Sequence, residues 1–381
     1  MTRAAVIVPH YRQPAYLAAC LESLLAQTRP ADEIVVVDSS PDETTTIMPR
    51  YAGRVRHLVR PADGVAAARN AGLAATTCDL VSFLDADNMA TPDRLARQVH
   101  ALAERPDAVL CHGMLVPIDC KGHDYRMLPA FPSEQVPFGR QLGWLIERNR
   151  IATDTVCVRR DAVAAVGGFC ESPGVREDYD LWLRLASVGP FAYLDSPLAL
   201  YRRHESNLSN DETYMFQWEA GALKRIDWET TARALSAAFP SEADRAVVEA
   251  EVHLRRGDVD LAEIQFVALS RRKPPVPAAC FHRANLAIDR GLLIDAEGLL
   301  RRAMKQDPGD AALWNNLGTL LVRSGRREQA ADAFARAVAL RPHYEDARQN
   351  FAQVHRSADG PWKITRRRLR QELLPLAAVA N

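Results

Sequence analysis

Short apolar runs alternate with amphipathic stretches along roughly the first 225 residues of the chain. The runs are rich in valine, isoleucine and leucine, as in strands that are buried on both faces. They predict strands at 5–8, 34–37, 55–59, 80–84 and 108–111. Apolar residues spaced three and four apart predict helices that begin at Pro14 and cover 65–75, 92–104 and 179–187. This order favours an α/β fold with a mostly parallel sheet and helices on both faces.

Beyond about residue 240 the strand-like runs stop, and small residues recur at a fixed spacing of 34. Three columns that keep this step are Gly257, Gly291 and Gly325, then Ala262, Ala296 and Ala330, then Pro274, Pro308 and Pro342. Closely packed helix pairs need small residues at fixed positions, so the period is typical of a stacked helical repeat. We expect about three helix pairs over 241–355, with the last helix, 345–355, capping the stack.

The two patterns predict a first domain over 1–225, a linker over 226–240, helical repeats over 241–355 and a basic tail over 356–381. The tail carries six Lys and Arg residues between 356 and 370. We interpret it as a terminal helix that packs Ile364, Leu369 and Leu373 on the repeats. The alternative is a segment that binds an anionic membrane surface or an acidic partner.

Composition excludes several classes of protein. The 48 Lys and Arg residues balance the 48 Asp and Glu residues, so no overall charge favours nucleic acid as a partner. The seven cysteines contain no C-x-x-C pair, which argues against a disulfide framework and against a zinc site. No stretch reaches the roughly 18 apolar residues of a membrane span, and the apolar run near the N-terminus is too short for a signal peptide. We therefore expect a cytoplasmic protein.

Two carboxylates follow directly on the fourth predicted strand. Asp85 and Asp87 stand at its carboxyl end, where open α/β sheets bind their ligands. Clustered carboxylates repel each other unless a cation joins them, and hard oxygen ligands suit Mg²⁺ or Mn²⁺. Mg²⁺ is usually held by one or two carboxylates together with substrate phosphates. The pattern indicates a metal site that also binds a phosphate-bearing substrate.

A series of motifs resembles the family 2 glycosyltransferases of the GT-A fold over roughly residues 1–210. In chain order they are VIVPHYRQPAYLAACLESLLAQTRPADEIVVVDSS, GVAAARNAGL, FLDADN, VGGFCE, REDYDLWLRLASVG and YRRHESNLS. The helical repeats resemble tetratricopeptide repeats, most closely over 311–344. The resemblance implies a GT-A nucleotide-diphospho-sugar transferase domain followed by an all-α repeat domain.

The same resemblance implies roles for individual residues. The nucleotide sugar would be bound by Pro9, Tyr11, Asp38, Arg69 and Asp85. Asp87 and His204 would be metal ligands, and Asp178 would be the catalytic base. The family often has a second Asp directly after the position of Asp38, and this chain has Ser39 there. The identity of the nucleobase in the donor therefore stays open.

The chemistry of sugar transfer fits these residue types. Negative charge develops on the diphosphate as it leaves, and a divalent ion that bridges two phosphates stabilises that charge. One carboxylate that takes the proton of the attacking hydroxyl is then sufficient for direct, inverting displacement. Asp178 opens a predicted helix, and a helix N-terminus favours an ionised carboxylate. We therefore predict an inverting, metal-dependent glycosyltransferase.

Other classes of function fit the sequence less well. A sugar nucleotidyltransferase would need a glycine-rich loop near the first strand, and residues 8–12 contain no glycine. A non-catalytic nucleotide-binding scaffold would have no physical need for clustered acids. Dinucleotide-binding and P-loop motifs do not occur in the sequence.

The repeats suggest the acceptor. His282, Asn316 and Asn350 stand 34 apart, and the repeat resemblance places them in one column on the concave surface. An asparagine side chain can donate to and accept from a peptide backbone, so a protein or peptide acceptor is expected. The alternative is assembly of a polysaccharide or lipid-linked glycan, with the repeats serving for docking or for a homo-oligomer.

Overall fold

The computed structural model describes residues 2–118, 136–204, 207, 212–342, 344–356 and 361–367, with the backbone alone over 212–216. It divides into two compact units, Met1–Pro240 and Ser241–Asn381. The first is a mixed α/β unit and the second is helical. The predicted fold class is therefore confirmed.

Within the described residues, eight strands of the first unit form one sheet in the order β3-β2-β1-β4-β7-β6-β8-β5. The strands are β1 (Ala4–His10), β2 (Glu33–Asp38), β3 (Arg56–Val59), β4 (Leu80–Phe83), β5 (Met89–Ala90), β6 (Leu110–Ile118), β7 (Cys157–Arg159) and β8 (Phe191–Arg202). β1 to β4 pair in parallel, as do β6 and β8, whereas β7 is antiparallel to both of its neighbours and β5 to β8. The sheet is thus more mixed than the sequence predicted.

The helices of the first unit follow the predicted alternation with strands. They are α1 (Pro14–Leu25), α2 (Pro41–Thr44), α3 (Val65–Ala75), α4 (Arg94–Glu104), α5 (Phe138–Glu147), α6 (Arg160–Ala165), α7 (Glu177–Leu185), α8 (Glu212–Lys224) and α9 (Trp228–Ala238). Short 3₁₀ turns occupy Met48–Tyr51 and Thr153–Thr155. α3 has the predicted bounds, and α7 begins two residues before the prediction.

Strand β1 explains why helices cover both faces of the sheet. All seven of its residues are buried. Val6 and Val8 belong to the same apolar cluster as Leu17 of α1. Ile7 points the other way and lies so close to Gly72 of α3 that a Cβ there would be 2.5 Å from the Ile7 side chain. Alternate side chains of a buried strand therefore bind helices on opposite faces.

The segment expected to be a linker, 226–240, is instead mostly helix. α9 packs along α5 so closely that a Cβ at Gly143 would overlap the carbonyl oxygen of Ala234. Arg140 donates to the carbonyl oxygen of Ala238 at 2.7 Å, and Leu235 is fully buried. The first unit consequently extends to Pro240, fifteen residues beyond the predicted domain end.

Over its described residues, the second unit contains three helix pairs and one further helix. The pairs are α10 (Glu242–Arg256) with α11 (Val259–Ser270), α12 (Pro277–Asp289) with α13 (Leu293–Met304), and α14 (Ala311–Arg323) with α15 (Arg327–Leu340); α16 (Glu345–Val354) follows. The column glycines Gly257, Gly291 and Gly325 stand between the helices of each pair with φ of 83°, 75° and 74°. This left-handed conformation explains why glycine recurs at that position of each repeat.

The part of the basic tail that the structure describes, 361–367, contains no helix. Ile364 packs on the repeats as expected, whereas Leu369 and Leu373 lie outside the described residues. Asn316 and Asn350 of the predicted column are buried, and both bond the tail backbone. His282 differs, because it bonds Glu251 at 3.0 Å and stacks on Phe266.

Two expectations from composition can be compared with the structure. Among the helices of the described residues, none is long and apolar enough to cross a membrane. Cys20, Cys78, Cys111, Cys157, Cys170 and Cys280 are free thiols, and all except the half-buried Cys170 are buried.

Candidate active site

The loops that follow β1 and β4 open onto a cavity of about 970 Å³ in the first unit. The first turns of α3 and α7, residues 151–154 and the region after β8 complete its lining. Six of the predicted site residues line this cavity: Pro9, Tyr11, Arg69, Asp85, Asp87 and Asp178. Asp38 and His204 are not among the described residues that line it. Asp38 contacts His10 and His204 contacts Asp87, and these two partners do line the cavity.

A buried arginine connects two sides of the cavity. Arg69, which is 3% exposed, donates to Asp85 at 2.8 Å and to Glu177 at 2.6 Å. Burial alone would lower the pKa of Arg69, but the charges of Asp85 and Glu177 outweigh burial and raise it above its ordinary value. Arg69 thereby holds the end of β4 and the start of α7 in a fixed relation.

Asp87 forms a pair with His204. Asp87 Oδ2 lies 3.0 Å from His204 Nε2, and the histidine ring stacks on Tyr16 with 5.2 Å between centroids. Burial, together with the nearby charge of Asp85, raises the pKa of Asp87 although His204 lowers it. Among the described residues, no group of three or more His, Cys, Asp and Glu side chains is arranged to hold a metal ion.

Asp38 is buried beside the cavity rather than exposed to it. Its carboxylate accepts from the Ser40 backbone at 2.9 Å and from Thr44 at 2.5 Å, and it lies 3.0 Å from both His10 and His57. Burial alone would raise the pKa of Asp38, but these four hydrogen bonds outweigh burial and lower it. Ser39 lines the cavity in its place. Contact of Asp38 with the nucleotide remains a prediction.

Asp178 stands in the first turn of α7. Its Oδ2 accepts from Thr153 Oγ1 at 3.0 Å, and its Oδ1 accepts from Arg176 Nε at 3.1 Å and from the Tyr179 backbone at 2.6 Å. These hydrogen bonds hold both oxygens of the carboxylate in place at the cavity wall.

Sequence reasoning missed Asp154. This buried residue accepts from the backbone N–H of Asp85 at 2.8 Å and from Asn88 at 2.9 Å. Burial and the charge of Asp85 raise its pKa to about 7. It lies in the 3₁₀ turn Thr153–Thr155, outside every motif of the sequence analysis, so its sequence position carried no signal. The sequence also gave no sign that Glu177 is the second partner of Arg69.

Comparisons with known proteins agree with this geometry. The family model described as glycosyl transferase family 2 matches residues 5–166, and a tetratricopeptide repeat model matches 287–348. The amylovoran biosynthesis glycosyltransferase AmsE of Erwinia amylovora is 30% identical over 207 residues, which are 52% of this chain and 75% of that protein. An uncharacterized glycosyltransferase of Haemophilus influenzae is 30% identical over 198 residues, 50% of this chain and 71% of its own.

The solved structures add a likeness of fold. The crystal structure of S. aureus TarS 1-349 in complex with UDP-GlcNAc is similar with a TM-score of 0.50 and 16% identity, over 92% of each chain. At that identity the likeness concerns the fold alone. The glycosyl transferase family 2 model matches within the first unit, whose cavity unites the motifs found in the sequence. On these grounds, the chain belongs to the family 2 glycosyltransferases.

Proposed function

We propose that the first unit transfers a sugar from a nucleotide-diphosphate sugar to an acceptor hydroxyl, with inversion at the anomeric carbon and with Mg²⁺ or Mn²⁺ as cofactor. The observation that carries the proposal is the meeting of the three acids Asp85, Asp87 and Asp178 at one cavity. In a direct transfer, the acids that bind the donor and the acid that takes the proton of the acceptor hydroxyl must line the same cavity.

The donor side of the cavity is formed by the segment after β1 and the start of α3. Tyr11 is 49% exposed and offers a ring for stacking, while Pro9 lines the wall beside it. Asp85 is held by Arg69 with part of its carboxylate open to solvent, which suits hydrogen bonding to ribose hydroxyls. TarS was solved with UDP-GlcNAc, and we propose a uridine nucleotide sugar as the first donor to test.

The residues present fit a divalent cation at Asp87. Asp87 Oδ2 and His204 Nε2, which lie 3.0 Å apart, would be the two protein ligands of that ion. Two protein ligands leave room for diphosphate oxygens and water, which is how Mg²⁺ is commonly held. The cation would stabilise negative charge on the leaving diphosphate. The finding that no three-ligand protein group exists in the described residues is compatible with this shared coordination.

Asp178 is proposed as the base. It would take the proton of the acceptor hydroxyl while the acceptor oxygen bonds the anomeric carbon and the bond to the diphosphate oxygen breaks. Thr153 and Arg176 orient its two oxygens. Glu177 and Asp85 are both paired with Arg69, so neither is placed as a nucleophile for double displacement. A single displacement inverts the configuration, which NMR of the product linkage would test.

Two acceptor classes remain candidates. A protein or peptide is favoured by the asparagine-lined surface of the repeats, which holds an extended strand. A growing glycan is favoured by the relative AmsE, which is named for amylovoran biosynthesis. Mass spectrometry of products after incubation with a peptide mixture and, separately, with oligosaccharides would separate the two classes.

Donor binding tests the metal role most directly. Titration calorimetry with UDP should detect binding that strengthens in Mn²⁺, and Asp87→Ala should remove the Mn²⁺ effect because the ion loses a protein ligand. Asp107→Ala, which removes an acid whose side chain is 59% exposed outside the cavity, is the matched control. Equal Mn²⁺ dependence in the Asp87 variant and the control would reject Asp87 as a metal ligand.

A further inference from the structure

In the second unit, segment 361–367 of the same chain contacts a row of polar side chains from three helices, which we call the asparagine groove. The groove consists of Asn285 of α12, Asn315, Asn316 and Thr319 of α14, and Asn350 of α16. All five side chains are buried, although asparagine and threonine are seldom fully buried in proteins. Their burial calls for hydrogen-bond partners.

Two asparagines of the groove each form a pair of hydrogen bonds with the backbone of segment 361–367. Asn350 accepts from the N–H of Lys363 at 2.9 Å and donates to its carbonyl oxygen at 2.8 Å. Asn316 does the same with Thr365, at 2.8 Å and 2.9 Å. These asparagines are 34 residues apart, whereas the residues they hold are two apart. A step of one repeat along the helices therefore corresponds to a step of two residues along the bound segment.

Further bonds from the groove reach the backbone of the segment, and Asn315 also donates to the Thr365 side-chain oxygen at 3.1 Å. Asn285 donates to the carbonyl oxygen of Thr365 at 3.0 Å, and Asn315 donates to that of Lys363 at 3.1 Å. Thr319 adds a bond to the Lys363 carbonyl oxygen at 3.2 Å. Because a backbone is the same in every peptide, the backbone contacts select an extended conformation rather than a sequence.

Selectivity for sequence would come from Trp362, Ile364 and Arg366, which alternate with the residues whose backbone is bound. Trp362 stacks on Phe334 with 5.9 Å between centroids and 4° between planes. Ile364 packs into the apolar cluster of the repeats, and Arg366 pairs with Asp289 at 2.7 Å. Lys363 is exposed. The strand thus presents an aromatic, an aliphatic and a basic anchor at every second position.

We propose that the asparagine groove is a binding site for extended peptides and that segment 361–367 is its tethered occupant, which keeps the groove closed until a competing strand displaces it. The fitting competitor is an extended peptide with an aromatic, an aliphatic and a basic residue at alternate positions. The inference concerns the second unit and does not depend on the proposed transfer reaction.

The covalent link to the repeats favours binding of segment 361–367 over binding of a free peptide. Six residues, 355–360, separate the end of α16 at Val354 from segment 361–367. A short link raises the effective concentration of a tethered ligand to the order of millimolar, so a free peptide must compete against that value. Weakening the anchors of the tail should therefore open the groove to peptide in solution while the asparagines remain in place.

The experiment measures binding of a fluorescent peptide with the sequence of residues 361–367 to the full chain by anisotropy. Trp362→Ala should strengthen peptide binding about tenfold or more relative to wild type, since the tethered strand loses its ring stacking. Lys363→Ala is the matched control, because it alters an exposed side chain of the same strand and keeps every backbone bond. Adding Asn316→Ala to Trp362→Ala should abolish the gained binding.

A milder variant guards against unfolding. Arg366→Glu breaks an exposed ion pair and should also increase peptide binding. Wild type that binds the peptide as tightly as both tail variants would refute the tethered occupant. Tail variants that keep their helical circular dichroism and bind no peptide would refute the binding site. Concentration-dependent dimers of wild type would assign the strand to a second copy and also overturn the proposal.

Discussion

Acidic side chains crowd the cavity of the first unit, and partner side chains hold them in place. Arg69 holds Asp85 and Glu177, His204 holds Asp87, and Thr153 with Arg176 holds Asp178. Burial and the charge of Asp85 raise the pKa of Asp154 to about 7, whereas four hydrogen bonds lower the pKa of the buried Asp38. The pKa of a carboxylate in this region therefore depends on burial and local partners rather than on residue type alone.

Asp178→Asn is predicted to separate binding from transfer. The amide keeps the shape of the side chain but cannot accept a proton, so the transfer rate should fall about 10²–10⁴-fold. The affinity for UDP should stay within about twofold, since the change leaves the donor side of the cavity intact. Radiolabelled transfer and calorimetry measure the two quantities.

Asp195→Asn, at an exposed position of β8, is the control for that change. Near wild-type transfer by the Asp178 variant would mean that another group takes the proton. A parallel loss of UDP binding would instead assign Asp178 a role in donor binding.

Acid stability should depend on a histidine outside the cavity. Burial lowers the pKa of His112 to about 4 from an ordinary value of 6.5. The unfolded chain therefore binds the proton more readily, and stability present above pH 6.5 is lost as the pH falls towards 4, by at most about 3 kcal/mol. His112→Phe should flatten this part of the melting curve against pH.

The same change at the exposed His100 provides the comparison for His112. Melting temperatures between pH 7 and pH 4 are the measurement. Equal acid sensitivity of the His112 variant and wild type would show that this histidine does not carry the loss.

Individual site residues could be predicted where a motif ties them to a strand end. Asp85 and Asp87 follow β4 directly, so their position at the cavity was evident from the apolar run before them. Asp154 reaches the same cavity from a 3₁₀ turn 69 residues after Asp85, and a contact over that distance leaves no periodic trace in the sequence. The burial of Asp38 was equally hidden, because His10 and His57 become its partners only when β1, β2 and β3 pair.

At the scale of elements, regular patterns predicted structure and irregular ones did not. α3 was predicted with its observed bounds. β7 is three residues long and β8 contains Pro197 and a register shift against β6, so neither has the alternation of an ordinary strand. These two strands bring the antiparallel pairing that makes the sheet mixed.

The helix pair α14 and α15 packs closely at a small residue. A Cβ at Gly318 of α14 would lie 2.5 Å from the ring of Phe334 in α15. Phe334 is fully buried and stacks on Trp362, so it has little room to move. Glycine at position 318 thus allows α14 to pack closely on α15.

Gly318→Ala is therefore predicted to destabilise the helical unit by about 1–3 kcal/mol, through overpacking against Phe334. Gly298→Ala is the matched control, because no heavy atom lies within 4 Å of a Cβ there and it stands inside α13. The control should gain about 0.5–1 kcal/mol from helix propensity. Urea unfolding followed by circular dichroism compares the two, and opposite signs are expected.

On the scale of the whole molecule, the sequence located the change from a mixed α/β unit to a helical one but misplaced the boundary. The repeat period begins near residue 241, where the second unit begins. Residues 226–240 lie outside both patterns and were therefore taken as a linker. Their helix, α9, owes its place to Gly143 and Leu235, whose contact between α5 and α9 cannot be read from local sequence.

The boundary can be tested with two shortened chains. A chain of residues 1–240 should be soluble and should release sugar from a donor as fast as the full chain, because the cavity belongs to the first unit. A chain of 1–225 lacks α9 and exposes the face of α5 that packs on it. Loss of buried Leu235 alone removes about 2 kcal/mol, so its melting temperature should fall by roughly 5 °C or more. Equal melting of the two chains would mean that α9 does not stabilise the first unit, and a stable but inactive 1–240 chain would mean that donor turnover needs the repeats.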